Sequence, residues 1–174
     1  MKERNMLALA EYGLIIVLLF FPLVLWQSEC RADSLDADGG TYKNSRYGYA
    51  VNWLAGPKVT ENEDGSGIVV SDSENGMELR VRGTSGKGTF GQGIENGLRE
   101  YCLLFTSLPK KEVHEDKGWF LLSGKAGQTV LTIKGYVAHD RVCILELRYP
   151  VKNAAIFEEQ FAPGVITSFR LIRK

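Results

Sequence analysis

Ile68-Val69-Val70-Ser71-Asp72-Ser73-Glu74-Asn75-Gly76-Met77-Glu78-Leu79-Arg80-Val81-Arg82 is the stretch that decides the architecture. Ile68 to Ser71 is a short β-branched run, and Ser73-Glu74-Asn75-Gly76 supplies a turn whose Asn-Gly pair tolerates positive φ. Met77, Leu79 and Val81 then face one side while Glu78, Arg80 and Arg82 face the other. A hairpin with one dry and one wet face belongs to an antiparallel sheet. Upstream, Tyr47, Tyr49, Val51 and Trp53 alternate with smaller or polar residues in the same period of two, and Ala55 to Gly65 reads as a loop. Downstream, Gly83 to Gly93 reads as a mobile glycine-rich connection. Ile94, Leu98, Tyr101, Cys102 and Phe105 then form a helical apolar stripe that Pro109 closes. Gly97 inside that helix costs about 1 kcal/mol of intrinsic propensity relative to alanine, so packing must hold it.

Further strands are expected at Lys110–Glu115, Trp119–Gly124, Thr129–Ala138 and Val142–Tyr149, with His139-Asp140 turning between the last two. Trp119-Phe120-Leu121-Leu122 is apolar on both faces and predicts a central strand covered on both sides. Pro150 ends the sheet, Asn153 to Phe161 looks helical, and Pro163 begins another turn that Ile166, Phe169 and Leu171 pack down. The fold class is therefore α+β: a largely antiparallel sheet of six to seven strands flanked by one main helix and a C-terminal helix, in one domain.

The 174 residues carry 21 basic and 21 acidic side chains, with 44% hydrophobic residues. No basic excess exists to neutralise phosphates, so nucleic acid is not an expected partner. Three cysteines are too few for a disulfide scaffold and match no zinc spacing. Residues 1–32 stand apart: Lys2 and Arg4 precede an apolar run from Gly13 to Trp26. That pattern describes a secretory signal peptide cleaved after Ala32. An uncleaved anchor over residues 6–26 is the other reading, and lipidation at Cys30 fits poorly because Gln27-Ser28-Glu29 precede it. Every version exports the rest, to the periplasm or the exterior, with membrane attachment only if the segment stays uncleaved. Residues 33–41 read as a flexible lead-in and 42–174 as the globular domain.

Tyr42-Lys43-Asn44-Ser45-Arg46-Tyr47-Gly48-Tyr49 resembles the opening "Tyr-x-Asn-x-Arg-Phe-Gly-Phe" of uncharacterised exported bacterial proteins with a PsbP-like, Mog-type fold. Glu63-Asp64-Gly65 before Ile68, the Trp119–Gly124 strand, Leu147-Arg148-Tyr149-Pro150 and Ile166–Arg170 are similar to further signatures of that group. The resemblance implies an α/β/α sandwich and a role in binding or assembling other proteins. It transfers no binding residue, since the matching positions look like framework.

Chemistry-bearing residues are few. Cys102 and Cys143 fall on an apolar helix stripe and an apolar strand face, so both are expected in one interlayer, as a disulfide or as two buried thiols. His114 and His139 sit among surface residues with no converging ligands, and no HExxH or Gly-x-Ser-x-Gly pattern occurs. Glu61–Gly65 lacks the EF-hand spacing, and Gly86-Lys87-Gly88 lacks the Gly-Lys-Ser/Thr of a phosphate loop. No catalytic residue, metal or cofactor is expected. Arg80, Arg82, Lys134 and Arg148, with Glu78 and Glu146, are expected to form a mixed-charge recognition face for an envelope or secreted protein. The alternative is an enzyme or small-ligand carrier with a pocket between helix and sheet near Tyr101 and Trp119.

Overall fold

In the computed structural model, which describes residues 39–172, ten strands divide between two antiparallel sheets. The expectations for residues 1–32 lie outside the described residues. Strands β1 (Gly39–Asn44), β2 (Tyr49–Leu54) and β10 (Arg170–Leu171) form the smaller sheet in the order β1-β2-β10. Strands β3 (Lys58–Glu61), β4 (Gly67–Asp72), β5 (Met77–Ser85), β6 (Lys110–His114), β7 (Trp119–Ala126), β8 (Thr129–Val137) and β9 (Arg141–Pro150) form the larger one. Its order is β3-β4-β5-β9-β8-β7-β6, and each pairing is antiparallel. Helix α1 (Ile94–Cys102) precedes β6. The C-terminal run comprises α2 (Ala154–Ile156), a π-turn at Phe157–Phe161 and α3 (Ala162–Ser168). Pro163 has no N–H to give a regular helix bond, which accounts for the widened turn just before it.

One face of the larger sheet is closed. Ile68, Val70, Leu79, Val81, Leu145 and Leu147 project from it against Tyr49, Val51 and Trp53 of the smaller sheet and Phe157, Phe161 and Val165 of the C-terminal run. Phe169, fully buried, lies edge-on to Tyr49 at 5.9 Å and to Tyr136 at 5.4 Å, so the chain's end is bound into the core. The expected single sheet is thus joined by a second. The strand starting at Tyr49 belongs to the smaller sheet, which begins at Gly39, inside the stretch expected as lead-in.

The signature Tyr42–Tyr49 works as a buried latch. Asn44 donates through Nδ2 to the Tyr42 hydroxyl (2.9 Å) and to the Gly65 carbonyl (3.0 Å), and its Oδ1 accepts the Tyr47 N–H (3.0 Å). The Tyr49 hydroxyl donates to the Ser66 carbonyl at 2.8 Å, and the Arg46 guanidinium to the Asp64 carbonyl at 3.2 Å. Gly48, at φ 64°, closes the turn where a side chain would be strained. These bonds tie the β1–β2 turn to the β3–β4 connection while leaving few buried polar groups unpaired.

The opposite face is covered only in part. Helix α1 and the turn before it pack Phe90, Ile94 and Leu98 onto Phe120, Leu122, Leu131, Ile133, Val142 and Ile144, that is, onto β7, β8 and the first half of β9. Phe90 stacks on Phe120 at 5.4 Å and 12°, and a Cβ at Gly97 would stand 2.1 Å from the Phe90 ring. Glycine at 97 therefore gives up helix propensity so that two aromatic rings can fit beneath the helix.

Several expected boundaries shift. Lys58–Glu61, within the expected loop, pairs with β4 as an edge strand. The glycine-rich connection is shorter than expected, because β5 runs to Ser85 and Gly88–Gln92 forms a 3-10 turn. Helix α1 ends at Cys102. Thr106 N–H is taken by the Lys125 carbonyl at 2.8 Å, and Phe105 reaches its apolar neighbours from the following loop. Strand β7 lies next to the sheet's edge strand β6, and Trp119 and Leu121 stay half-buried because the smaller sheet does not extend over them.

Candidate recognition groove

Where α1 stops, the sheet's uncovered face becomes a trough of about 540 Å³. Its floor is the wet side of the hairpin already legible in the sequence: Arg80 and Arg82 on β5, Glu146 and Arg148 on β9, and Val69 on β4. Its wall is the end of α1, with Glu100 and Tyr101, followed by Leu104. Cross-strand register places Arg80 opposite Glu146 and Glu78 opposite Arg148. Opposed charges on neighbouring strands are worth about 0.2–1 kcal/mol each in such a setting.

The ion pairs are unequal. Arg80 Nε meets Glu78 Oε1 at 2.7 Å, whereas Glu146 is shared, one oxygen 3.6 Å from Arg82 and the other 3.4 Å from Arg148. The Glu146 side chain is 13% exposed, and those of Arg82 and Arg148 are 53% and 38% exposed. A largely buried carboxylate thus holds two guanidinium groups at the trough's floor, at distances longer than a charge-assisted hydrogen bond. Burial raises the Tyr101 phenol above its ordinary value, and the Arg82 guanidinium beside it offsets part of that shift.

Three of the four expected recognition residues, Arg80, Arg82 and Arg148, meet here. Lys134 does not. Its register partner is Leu145, a core residue of the closed face, so the alternation of β8 turns Lys134 away from the arginines. Its ammonium donates to the carbonyls of Ile166 (2.8 Å) and Phe169 (3.2 Å), capping the end of α3, and burial lowers its pKa. The expectation failed because alternation within β8 says which residues share a face with Lys134 but not which face of the sheet that is, and the cross-strand register with Leu145 decides it.

The two thiols also separate. Cys143 lies in the closed core and donates weakly to the Tyr47 carbonyl at 3.6 Å; Cys102 packs in the α1 layer on the other side of the sheet. Both are free, and the expected shared interlayer, with its disulfide, is ruled out by the intervening sheet. The alternative pocket near Tyr101 and Trp119 divides in the same way. Tyr101 sits by Phe120 on the α1 side, while Trp119 pairs with Tyr136 and stacks on His114 at 4.2 Å on the other.

His114 Nε2 lies 2.9 Å from Glu112 at the edge strand, and His139 occupies the β8–β9 turn. The Glu61–Gly65 oxygens serve the fold itself: Glu61 accepts from Tyr42, and the Ser66 side chain, followed by its N–H at 2.8 Å, holds the Asp64 carboxyl below the usual range. Among the described residues no group of three or more His, Cys, Asp or Glu side chains is placed to hold a metal ion.

Sequence reasoning passed over the connection from α1 to β6. Leu103, Leu104 and Leu108 are 84%, 43% and 94% exposed, the largest apolar exposure in one segment among the described residues. The available signal was that Leu103 and Leu104 fall off the helical stripe and Leu108 abuts Pro109, with no face left to bury them.

No protein-family model and no curated protein matches the chain. Solved structures do. The cyanobacterial PsbP (CyanoP) of Synechocystis sp. PCC 6803 superposes with a TM-score of 0.52 at 11% identity, over 83% of this chain and 98% of that one. A crystal structure from Bacteroides thetaiotaomicron gives 0.53 at 10% identity, over 79% of this chain and 50% of that one. At such identities the likeness is one of fold. Two sheets, a helix over part of the larger one and a helical C-terminus give this chain a PsbP-like α+β fold.

Proposed function

We propose that this protein is an exported, non-enzymatic domain that binds another envelope or secreted protein through the α1 side of its larger sheet. The observation that supports this most is a conjunction: the α1–β6 connection leaves three leucines exposed, and one of them, Leu104, lines a trough floored by arginines and walled by Tyr101. Monomeric proteins seldom leave clustered leucines in water, and binding surfaces favour apolar centres with Arg and Tyr. Export rests on the charged-then-apolar pattern of residues 1–32. Among the described residues no helix is long and apolar enough to cross a membrane.

The test is site-specific photo-crosslinking in the producing cells, with the photoreactive residue at Leu108 or Val69 and controls at Glu159 and Ile156. The reading expects one adduct of defined mass at the first two positions, lost on Arg82→Glu while the thermal midpoint stays unchanged. Adducts formed equally at the controls, or insensitive to Arg82, would refute it. A small-ligand carrier would use the same trough, but its charged floor is unlike the mostly apolar lining of small-molecule sites.

A further inference from the structure

The trough continues past Arg82. A second hollow of about 240 Å³, lined by Thr84, Ser85, Lys87 and Phe90, shares Arg82, Glu100, Tyr101 and Ile144 with the first. The two form one groove along β5 from Arg80 to Ser85, with α1 along its side. Six strand residues span roughly 20 Å, the length of about six residues of extended peptide.

Building on the recognition reading above, we infer that the groove takes an extended acidic segment of the partner, with carboxylates at alternate positions. Charge and spacing both point there. The groove's charged lining consists of Arg80, Arg82, Arg148 and Lys87 against Glu100 and Glu146, and Glu78, which holds Arg80, stands outside it. Positive charge is therefore in excess in a chain whose total is neutral. Arg80 and Arg82 point to the same face two residues apart, so their guanidinium groups repeat at roughly 7 Å, as alternate side chains of an extended peptide do. Each guanidinium has five N–H donors, and Glu146 engages Arg82 and Arg148 only at 3.6 and 3.4 Å, which leaves donors for an incoming carboxylate. The side chains between the carboxylates turn away from the floor, which leaves Tyr101 and Leu104 of the wall as their apolar neighbours.

The probe is a fluorescein-labelled twelve-residue peptide with Glu at every second position and Thr, Val or Ala between, compared with versions carrying Gln or Lys in place of Glu. Anisotropy is measured with the full-length chain in mild detergent. The inference expects the Glu peptide to bind at least ten-fold more tightly than the Gln peptide, and more weakly as salt is raised. It also expects the double variant Arg80→Glu/Arg82→Glu to prefer the Lys peptide. The milder Arg80→Gln/Arg82→Gln, checked for an unchanged thermal midpoint, should reduce Glu-peptide affinity by at least five-fold. Equal binding of the three peptides, or Glu-peptide binding that survives both variants, overturns the inference. If photo-crosslinks still map to Leu108 and Val69 in that event, protein recognition stands and only the acidic strand falls.

Discussion

The two faces of the seven-stranded sheet carry the same alternating strands to opposite ends. On the closed face the apolar alternate residues of β4, β5 and β9 disappear beneath a smaller sheet and a helical C-terminus, with buried tyrosine hydroxyls bonded to a fixed latch. On the other, one nine-residue helix covers only part of the area, and a row of arginines and a leucine-bearing connection stay in water. Of the signatures that carry the fold resemblance, Tyr42–Tyr49 is a device of the closed side, while Trp119–Gly124 sends Phe120 and Leu122 beneath α1. Resemblance therefore speaks for architecture, and what is particular to this protein lies in the charged trough and the leucine-bearing connection.

Alkaline titration would break the closed face most completely. Burial pushes the Cys143 thiol from its ordinary 9.0 up to about 11, and the Tyr42 and Tyr149 phenols from 10.0 up to about 12. Acids whose pKa is raised in the folded state stabilise it fully below the unfolded value and lose that contribution as pH climbs to the folded one. Urea unfolding should therefore show stability falling above pH 9 and more steeply from 10 to 12. Cys143→Ala should remove the part of the decline between 9 and 10, and a flat profile to pH 12 would contradict the buried arrangement.

Phe169→Ala should cost about 3–5 kcal/mol, because it empties a fully enclosed site between Tyr49 and Tyr136. Chemical denaturation checks it, and a loss under 1 kcal/mol would mean the C-terminal strand is not docked. Asn44→Ala removes three side-chain hydrogen bonds from the latch and should cost about 2–3 kcal/mol by the same measurement. Lys134→Met keeps the aliphatic stem and deletes the ammonium. It should cost only about 1 kcal/mol, since the Tyr136 hydroxyl still donates to the Phe169 carbonyl. If Lys134 belonged with the arginines instead, this variant would impair partner binding and spare stability.

The smallest expected stability change is on the open face. Arg80→Gln with Arg82→Gln should shift the unfolding free energy by less than about 1 kcal/mol, because both side chains are over half exposed. The contrast would be sharpest if this pair abolished crosslinking at Leu108 while Asn44→Ala left it intact at a temperature where that variant remains folded.

How much was readable follows the same division. The hairpin at 68–82 and the helical stripe from Ile94 to Cys102 announced themselves through periodicity, since one-sided burial forces it, whereas β7 to β9 were legible as apolar runs between turns. Edge strand β3 did not, because a strand buried on neither face has no reason to alternate. Of the candidate site, Arg80, Arg82 and Arg148 could be grouped from alternation alone, but the exposed leucines could not. Their exposure depends on where α1 ends, and that is decided by the Lys125 carbonyl taking Thr106 N–H, a bond between positions 19 residues apart.

By itself the amino-acid order determined which residues alternate, where the chain turns and which side of each strand is dry, because these depend on neighbours one to four positions away. Which dry sides face each other was settled only by the assembled molecule. Cys102 and Cys143 have equally apolar surroundings in sequence, as do Tyr101 and Trp119 in part, yet a sheet stands between the members of each pair. A β-sheet has two faces of identical local chemistry, and only long-range packing, here the choice of which face the smaller sheet covers, tells them apart.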